Sequence, residues 1–457
     1  MKKMIAIISC ILLFGSLAGC SGNGESPFWF EVTDGVAQLV RYTGNGQEVE
    51  IPDKYEDYEV ASIGARAFYN CSNLKKVILP STVVAMGDEA FALCPSMREF
   101  VVDEENPAFI AMDGVLFSKD LKTLVRYPEG KEGEYSIPDG VTTIDQQAFS
   151  RCNKLSGVTI PSSLTTIKAA AFYDCKTLKS VSVPDKVTTI GPTAFCRCVA
   201  LTELTLPAGL TKLETGVLSD CTALKTLTIP AAVTDIADAA FWNCTSLTSF
   251  TVDADNTALK AVDGVLFSAD GSTLIRYPAG KTGESYAIPD GVTSLASEAF
   301  SYNAQIKSIV LPGRLGEIAD SAFYLCSSLD TLVLEEGITA IGDKAFASCT
   351  ALKGLALPSS LKTIGASAFN NNDALNAVNL PDGLITIGDN AFSYCDQLMS
   401  VTVPSSVTTV GVTSFAGCEM IRLYGEEGSA IEKYAQTADI VFNDNDAAES
   451  TTTTKSE

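Results

Sequence analysis

The sequence contains no histidine. That absence removes Ser-His and Cys-His nucleophile pairs and every His-ligated metal site together. Positive charge is also scarce: 32 Lys and Arg stand against 55 Asp and Glu, leaving a formal charge of −23. Nothing offsets phosphate repulsion, so nucleic acid is excluded as a partner, and so is electrostatic docking on anionic lipid. No membrane-length apolar run is present. The N-terminal stretch from Met4 to Ala18 has fifteen residues, fewer than the roughly 20 needed to cross a bilayer.

That stretch belongs to a leader. "MKKMIAIISCILLFGSLAGC" has two lysines, an apolar run and small residues before Cys20, the layout of a secretory signal. Leu17-Ala18-Gly19-Cys20 resembles the bacterial lipobox. The resemblance implies cleavage after residue 19, lipid on the Cys20 sulfur, and residence on the extracellular face of a bacterial envelope. At about 0.8 kcal/mol per buried methylene, several acyl chains make such attachment effectively permanent. Residues 1–20 are thus read as signal peptide and 21–27 as a flexible tether, with the membrane contacted through the N-terminal lipid only.

The rest of the chain is marked off like a ruler. Ala-Phe pairs place Phe68, Phe91, Phe149, Phe172, Phe195, Phe241, Phe300, Phe323, Phe346, Phe369 and Phe392 mostly 23 residues apart, with Phe415 as a variant and Leu218 in the one vacancy. These make thirteen registers. Two steps are longer, Phe91 to Phe149 by 58 and Phe241 to Phe300 by 59, each read as one repeat plus an insert. One unit shows Leu164, Ile167, Ala171, Phe172, Cys175, Leu178, Val181, Val183 and Pro184. The Val181-Ser182-Val183 alternation predicts a short strand with Ser182 outward, and Pro184 ends it. A unit this short cannot bury its own apolar face. Stacked units make a parallel sheet over a continuous column of Phe rings.

The pattern, with the lipobox, resembles the BspA-type leucine-rich repeat surface proteins of bacteria over about residues 28–442. The resemblance implies a leucine-rich-repeat solenoid: a β-rich right-handed superhelix with a curved parallel sheet, about 13 coils, two of them enlarged and hairpin-bearing. It also implies extracellular binding rather than catalysis. The chain divides into an N-terminal cap (28–60), the solenoid (61–423, with inserts near 102–138 and 252–289), a C-terminal cap (424–442) and a polar, disordered tail (443–457).

Three residues past each register stands Cys71, Cys94, Cys152, Cys175, Cys198, Cys221, Cys244, Cys326, Cys349, Cys395 or Cys418, with Asn303 and Asn372 in the remaining places. Cys198 is therefore one rung of a ladder and Cys196 an interloper, not half of a Cys-x-Cys metal or redox site. Asn replaces thiol where a small, half-polar side chain is wanted. Equivalent Cβ atoms about 4.8 Å apart exceed the roughly 3.5–4.5 Å of a disulfide, so the thiols are expected free.

The inserts repeat each other: "MDGVLFSKDLKTLVRYPEGKEGEYSIPDGVTTI" (112–144) and "VDGVLFSADGSTLIRYPAGKTGESYAIPDGVTSL" (262–295). Asp270-Gly271 signals a hairpin between 265–268 and 273–276, and Leu121 weakens the equivalent turn. If the hairpins project, Arg126 and Arg276 are their notable contact groups. "VDEENPAF" (102–109) and "VDADNTAL" (252–259) cluster oxygens, but neither matches a defined calcium loop; they read as solvated turns. Phe28 and Trp29 read as cap core, and Ala430, Ile431, Tyr434 and Ala435 share a helical face.

The outward strand positions supply the candidate partner surface: Ser180, Ser182, Glu203, Thr205, Thr226, Thr228, Ser249 and Thr251. They are small, and rings are almost absent from the face. No residue is singled out as catalytic, cofactor-binding or metal-ligating. The expected partners are extracellular proteins of a host or neighbouring cell, with glycans as an alternative. A carboxylate-based glycoside hydrolase is a further alternative without an identifiable acid pair.

Overall fold

Alternating apolar and small polar residues form the strand of each coil, and the next coil supplies its partner. In the computed structural model, which describes residues 26–444, Ser180–Ser182 pairs in parallel with Glu203–Thr205, and Thr226–Ile229 with Ser249–Val252. Ser308–Leu311 pairs likewise with Thr331–Leu334. A second row of two-residue strands runs alongside the first, in register 23 residues apart: Thr143–Ile144, Thr166–Ile167 and Thr189–Ile190, then Glu317–Ile318 through Thr409–Val410. The leader, Cys20, residues 21–25 of the tether and the tail beyond 444 lie outside the described residues.

Within each run of coils the column of rings is as expected, but it is not continuous: at the two inserts the stacking breaks and the buried core divides into three clusters. Phe149, Phe172 and Phe195 stack at 4.8 and 5.2 Å with interplanar angles of 8° and 5°. Phe300 through Phe415 continue at 4.7–5.5 Å. Beside the rings the backbones are stitched: Phe172 N donates to Ala194 O at 2.7 Å and Phe323 N to Ala345 O at 2.7 Å. The arc around each Phe closes through left-handed residues on both sides, such as Ala170 (φ 53°) and Asp174 (φ 59°) around Phe172. Most such positions are not glycine, which is why the sequence does not advertise them.

The coil count needs correcting. The solenoid makes about 18 turns rather than 13, and three of the additional coils are plugged by tyrosine. Tyr127 stacks on Phe149 at 5.1 Å, Tyr277 on Phe300 at 5.1 Å, and Tyr42 on Phe68 at 5.1 Å. The first coil thus begins inside the expected N-terminal cap. Val36–Tyr42 pairs antiparallel with Phe28–Thr33 and parallel with Tyr58–Ile63. Phe28 packs against Tyr42, but Trp29 is 56% exposed: it occupies the solvent side of its strand, so it is not cap core. At the other end the helix Ala430–Ala438 closes the core with Ile431, Tyr434 and Ala435. The strand Val441–Asp444 pairs with Arg422–Gly425, so residues 443 and 444, expected in the tail, are strand.

Each insert is a three-stranded unit packed into the stack. Phe109–Met112 pairs with Val115–Ser118 across Asp113-Gly114, and Val115–Ser118 pairs with Thr123–Arg126; residues 259–276 repeat both pairings. Asp113 (φ 49°) and Gly114 (φ 76°) take the two positive-φ positions of a tight hairpin turn. Glycine is required there twice over, since a Cβ on Gly264 would stand 2.8 Å from Ser249 Cβ. The second turn differs between copies. Gly271 (φ 80°) becomes Leu121 (φ 59°), and a left-handed non-glycine residue costs about 1–2 kcal/mol. Leu121→Gly is therefore expected to stabilise the chain by about 1 kcal/mol, part of the relief being offset by unfolded-state entropy; urea denaturation of the variant checks this.

Candidate interaction surface

The strand row leaves one broad face to solvent. Ser180, Ser182, Glu203, Thr205, Thr226, Thr228 and Thr251 are exposed on it and Ser249 is half-buried, while Val181, Leu204, Leu227 and Phe250 between them are buried. Cross-strand registry sets Ser180 beside Glu203 and Ser182 beside Thr205. Thr226 lies beside Ser249, and the Thr228 and Thr251 hydroxyls share a hydrogen bond at 2.7 Å. The structure thus brings all eight residues onto one surface.

Past the second insert the same face changes character. Ala287, Val310, Val333 and Ala356 are exposed, Ala287 paired with Val310 and Val310 with Val333. Val310 and Val333 are 48% and 44% exposed. Further on, Asn376, Asn379, Asp382, Ser400, Thr402 and Glu426 border a polar groove of about 470 Å³. The face is interrupted at each insert: the sheet ends at Glu99–Val102 and at Ser249–Val252 and restarts at Gly133–Ser136 and Ser285–Ala287. The Asp-Gly turns cover these breaks. Phe100 N donates to Gly114 O and Phe250 N to Gly264 O, both at 2.9 Å, and Lys131 and Lys281 each cap the turn carbonyl at 2.7 Å.

Arg126 and Arg276 are not on this surface, which corrects their assignment as contact groups. They are 7% and 6% exposed because the inserts fold inward, where an arginine must be paired. Arg126 Nη2 lies 3.0 Å from Glu129 Oε1, and Nη1 donates to Gln147 O at 2.5 Å. The Glu129 carboxylate in turn accepts from Leu93 N (3.1 Å) and Cys94 N (2.9 Å). In the second copy Arg276 pairs with Glu298 at 2.9 Å and donates to Ser301 Oγ at 2.7 Å and to Glu298 O. Glu298 Oε2 accepts from Ala239 N at 3.2 Å. Each pair takes up backbone groups left without a neighbouring coil at the break. Burial pushes Glu129 and Glu298 above the usual carboxylate range although the guanidinium opposes it.

The acidic stretches are turns. Asp103 Oδ1 accepts from Glu105 N at 2.8 Å, and Asp253 Oδ1 from Asp255 N at 3.0 Å. Asn106 Nδ2 ties back to Pro80 O and Val83 O at 2.8 Å, as Asn256 does to Pro230 O and Val233 O. Among the described residues no group of three or more Cys, Asp or Glu is disposed to hold a metal ion, and no helix is long and apolar enough to cross a membrane.

The rung cysteines are free, and their thiols do a specific job. Cys198 Sγ donates to Phe172 O, Cys221 to Phe195 O and Cys244 to Leu218 O, each at 3.1 Å. Asn372 makes the same bond to Phe346 O through Nδ2 at 3.0 Å, which accounts for the exchange of Asn for Cys. Burial pushes Cys196 to about 11 and Cys244 and Cys349 to about 12, against about 8.5 in an unfolded chain. A raised folded pKa stabilises fully below the unfolded value and ceases to do so as pH climbs through the folded one. The urea midpoint is therefore expected to hold between about pH 6 and 8 and to fall steadily above about pH 9. Cys349→Asn should make that fall shallower.

A column of plugs inside a stack of parallel strands, with one open strand face, defines a leucine-rich-repeat solenoid. The model of the BspA type leucine rich repeat region matches residues 41–117, 132–259 and 293–422 in six copies. The chain belongs to the BspA-type leucine-rich repeat family. The unmatched stretches 118–131 and 260–292 fall in the inserts. Among solved structures, a leucine rich cell surface protein of Faecalibacterium prausnitzii is 28% identical, with 91% of this chain and 96% of that one covered and a TM-score of 0.54. The pneumococcal vaccine antigen PcpA shares the fold at 21% identity, covering 92% of this chain and 98% of its own, with a TM-score of 0.52. No curated protein matches the chain.

Proposed function

We propose that the chain is a non-catalytic, lipid-anchored cell-surface scaffold that binds extracellular proteins of a host or neighbouring cell through its open strand face. The observation that carries this reading is the exposed stripe Ala287–Val310–Val333–Ala356 in the middle of a small-residue, hydroxyl-rich sheet. A contiguous exposed apolar patch rimmed by polar residues is the usual anatomy of a protein-binding site. Ser285, Ser308 and Thr331 border the stripe. Ser180, Ser182, Glu203, Thr205, Thr226, Thr228, Ser249 and Thr251 continue the polar face before the second insert, and the groove by Asn379 and Thr402 lies on the other side. The surface location is supported by the Faecalibacterium relative, a cell surface protein, and by the lipobox at Cys20.

The test uses an array of extracellular matrix proteins and glycans. Val310→Glu with Val333→Glu should weaken capture of a matrix protein at least tenfold, since two charges would be desolvated at the contact. Unchanged binding by this pair would sink the reading. A second reading, carbohydrate capture, is favoured by the groove, whose amides, hydroxyls and carboxylates suit sugar hydroxyls. It predicts glycan spots that are lost with Asn379→Ala and Thr402→Ala and spared by the valine changes. Anchoring is checked separately: Cys20→Ser should abolish incorporation of a labelled fatty acid.

A further inference from the structure

We propose that Cys71 and Cys94 form a dithiol site that closes into a disulfide between the first two rungs of the ladder on meeting an external disulfide. From Cys94 onward, every rung thiol is engaged by a carbonyl of the coil before it, from Cys94 Sγ on Phe68 O at 3.1 Å to Cys418 Sγ on Phe392 O at 3.1 Å. Cys71 is the first rung, and among the described residues its sulfur has no such bond. Among the described residues it is also the one half-exposed cysteine, the others being buried.

The geometry brings these two together. Phe68 O receives Cys71 N at 3.3 Å and Cys94 Sγ at 3.1 Å, so both residues converge on one carbonyl. Coils in parallel register hold equivalent Cα atoms about 4.8 Å apart, inside the roughly 4.4–6.8 Å that a bridge spans. The Cβ atoms must approach by a few tenths of an ångström. Rungs such as Cys175, Cys198 and Cys221 resist that because a rung packs on either side, and the last rung, Cys418, is buried where Cys71 is half-exposed. Cys71 has a rung on one side only; on the other lies the loop 43–47, joined to its coil by side-chain bonds from Asn73 to Asn45 (2.6 Å) and from Lys75 to Gln47 (3.0 Å). Contact with Cys94 holds the Cys71 thiol below its ordinary pKa, while the same contact and burial push Cys94 up. Cys71 is thus the attacking sulfur and Cys94 the resolving one.

With glutathione disulfide as oxidant the steps balance. The Cys71 thiolate attacks one glutathione sulfur, the S–S bond breaks, and a glutathione thiolate leaves and takes up the proton Cys71 has shed. Cys94, losing its proton, then attacks the Cys71 sulfur and expels the second glutathione. The pair gives up two electrons, and one glutathione disulfide becomes two thiols.

The test is to incubate the reduced full chain in glutathione redox buffers, alkylate, and map peptides by mass spectrometry. The expected product is a single cross-link joining the Cys71 and Cys94 peptides, with the mass lower by two hydrogens. Cys94→Asn keeps a donor for Phe68 O, as Asn372 does for Phe346 O, and should stall at a Cys71–glutathione adduct. Cys71→Ser should give neither cross-link nor adduct. Circular dichroism before oxidation confirms that both variants are folded. The proposal is overturned if Cys71 alkylates as fully after oxidation as before. It is equally overturned if the parent chain keeps glutathione on Cys71 without the cross-link, or if another pair of rungs closes as fast.

Discussion

Arg126→Met is expected to destabilise the fold by about 3–5 kcal/mol, the loss typical when one member of a buried ion pair is removed. Methionine fills much of the same volume, so the loss is electrostatic rather than a cavity. The change strands the Glu129 carboxylate, which sits 3.0 Å from the guanidinium and bonds the amides of Leu93 and Cys94. It also removes one of the two donors to Gln147 O, leaving it only Ser150 N at 2.9 Å. Arg276→Met should behave alike through Glu298. The pH dependence separates this cause from general damage. Without its cation, Glu129 has a folded pKa raised further above the unfolded value. The penalty is absent below about pH 4, the unfolded carboxylate value, and grows as pH rises through the new folded pKa. The gap between Arg126→Met and the parent in urea should therefore narrow on going from pH 7 to pH 4. Arg98→Met, whose pair with Glu132 is open to solvent on both sides, should show no measurable change at either pH. A gap independent of pH would mean that the arginine acts by packing alone.

These arginines also mark where sequence reasoning stops. The Phe register, the Cys-to-Asn exchange and the outward strand positions are legible because each obeys a fixed 23-residue interval. Tyr127 and Tyr277 come 36 residues after the preceding plug, and a tyrosine hydroxyl disguises a plug, so a search by interval passes over them. The duplicated "VRYP" and "IRYP" strings are the signal that exposes them, because the tyrosine occupies the plug position and arginine, one residue before it, must then lie at the core edge. Arg126 reads as a projecting group because isolated arginines are normally solvated. Its acid partners stand at non-equivalent positions, Glu129 within one insert and Glu298 in the coil after the other, so the repeated motif does not reveal the pairing. The Asp-Gly turns at 113–114 and 263–264 are visible in the sequence but are masked by the stronger-looking signal at Asp270-Gly271. Trp29 misleads for the opposite reason: hydrophobicity alone does not say which side of an edge strand a ring occupies.

Phe195→Ala is expected to cost about 3–5 kcal/mol, as large-to-small changes in a close-packed core do. Phe195 is fully buried and lies 5.2 Å from Phe172 with the rings 5° from parallel. Its backbone is fixed from both directions, N to Val217 O at 3.0 Å and O to Cys221 Sγ at 3.1 Å. The arc therefore cannot collapse into the space the ring leaves. Because each coil touches only its neighbours, the loss falls at one point of a quasi-one-dimensional stack. Hydrogen exchange should rise between about Phe172 and Phe241 before it rises at either end. The column itself supplies the control, since Leu218 already occupies one rung and is fully buried there. Phe195→Leu should accordingly lose only about 1 kcal/mol, and Lys179→Ala, on the solvent side of the preceding coil, should leave the midpoint where it is. Equal midpoints for Phe195→Ala and Lys179→Ala would contradict a stacked core. If Phe195→Leu proved as damaging as the alanine, the column would depend on ring-on-ring contact and not on filled volume.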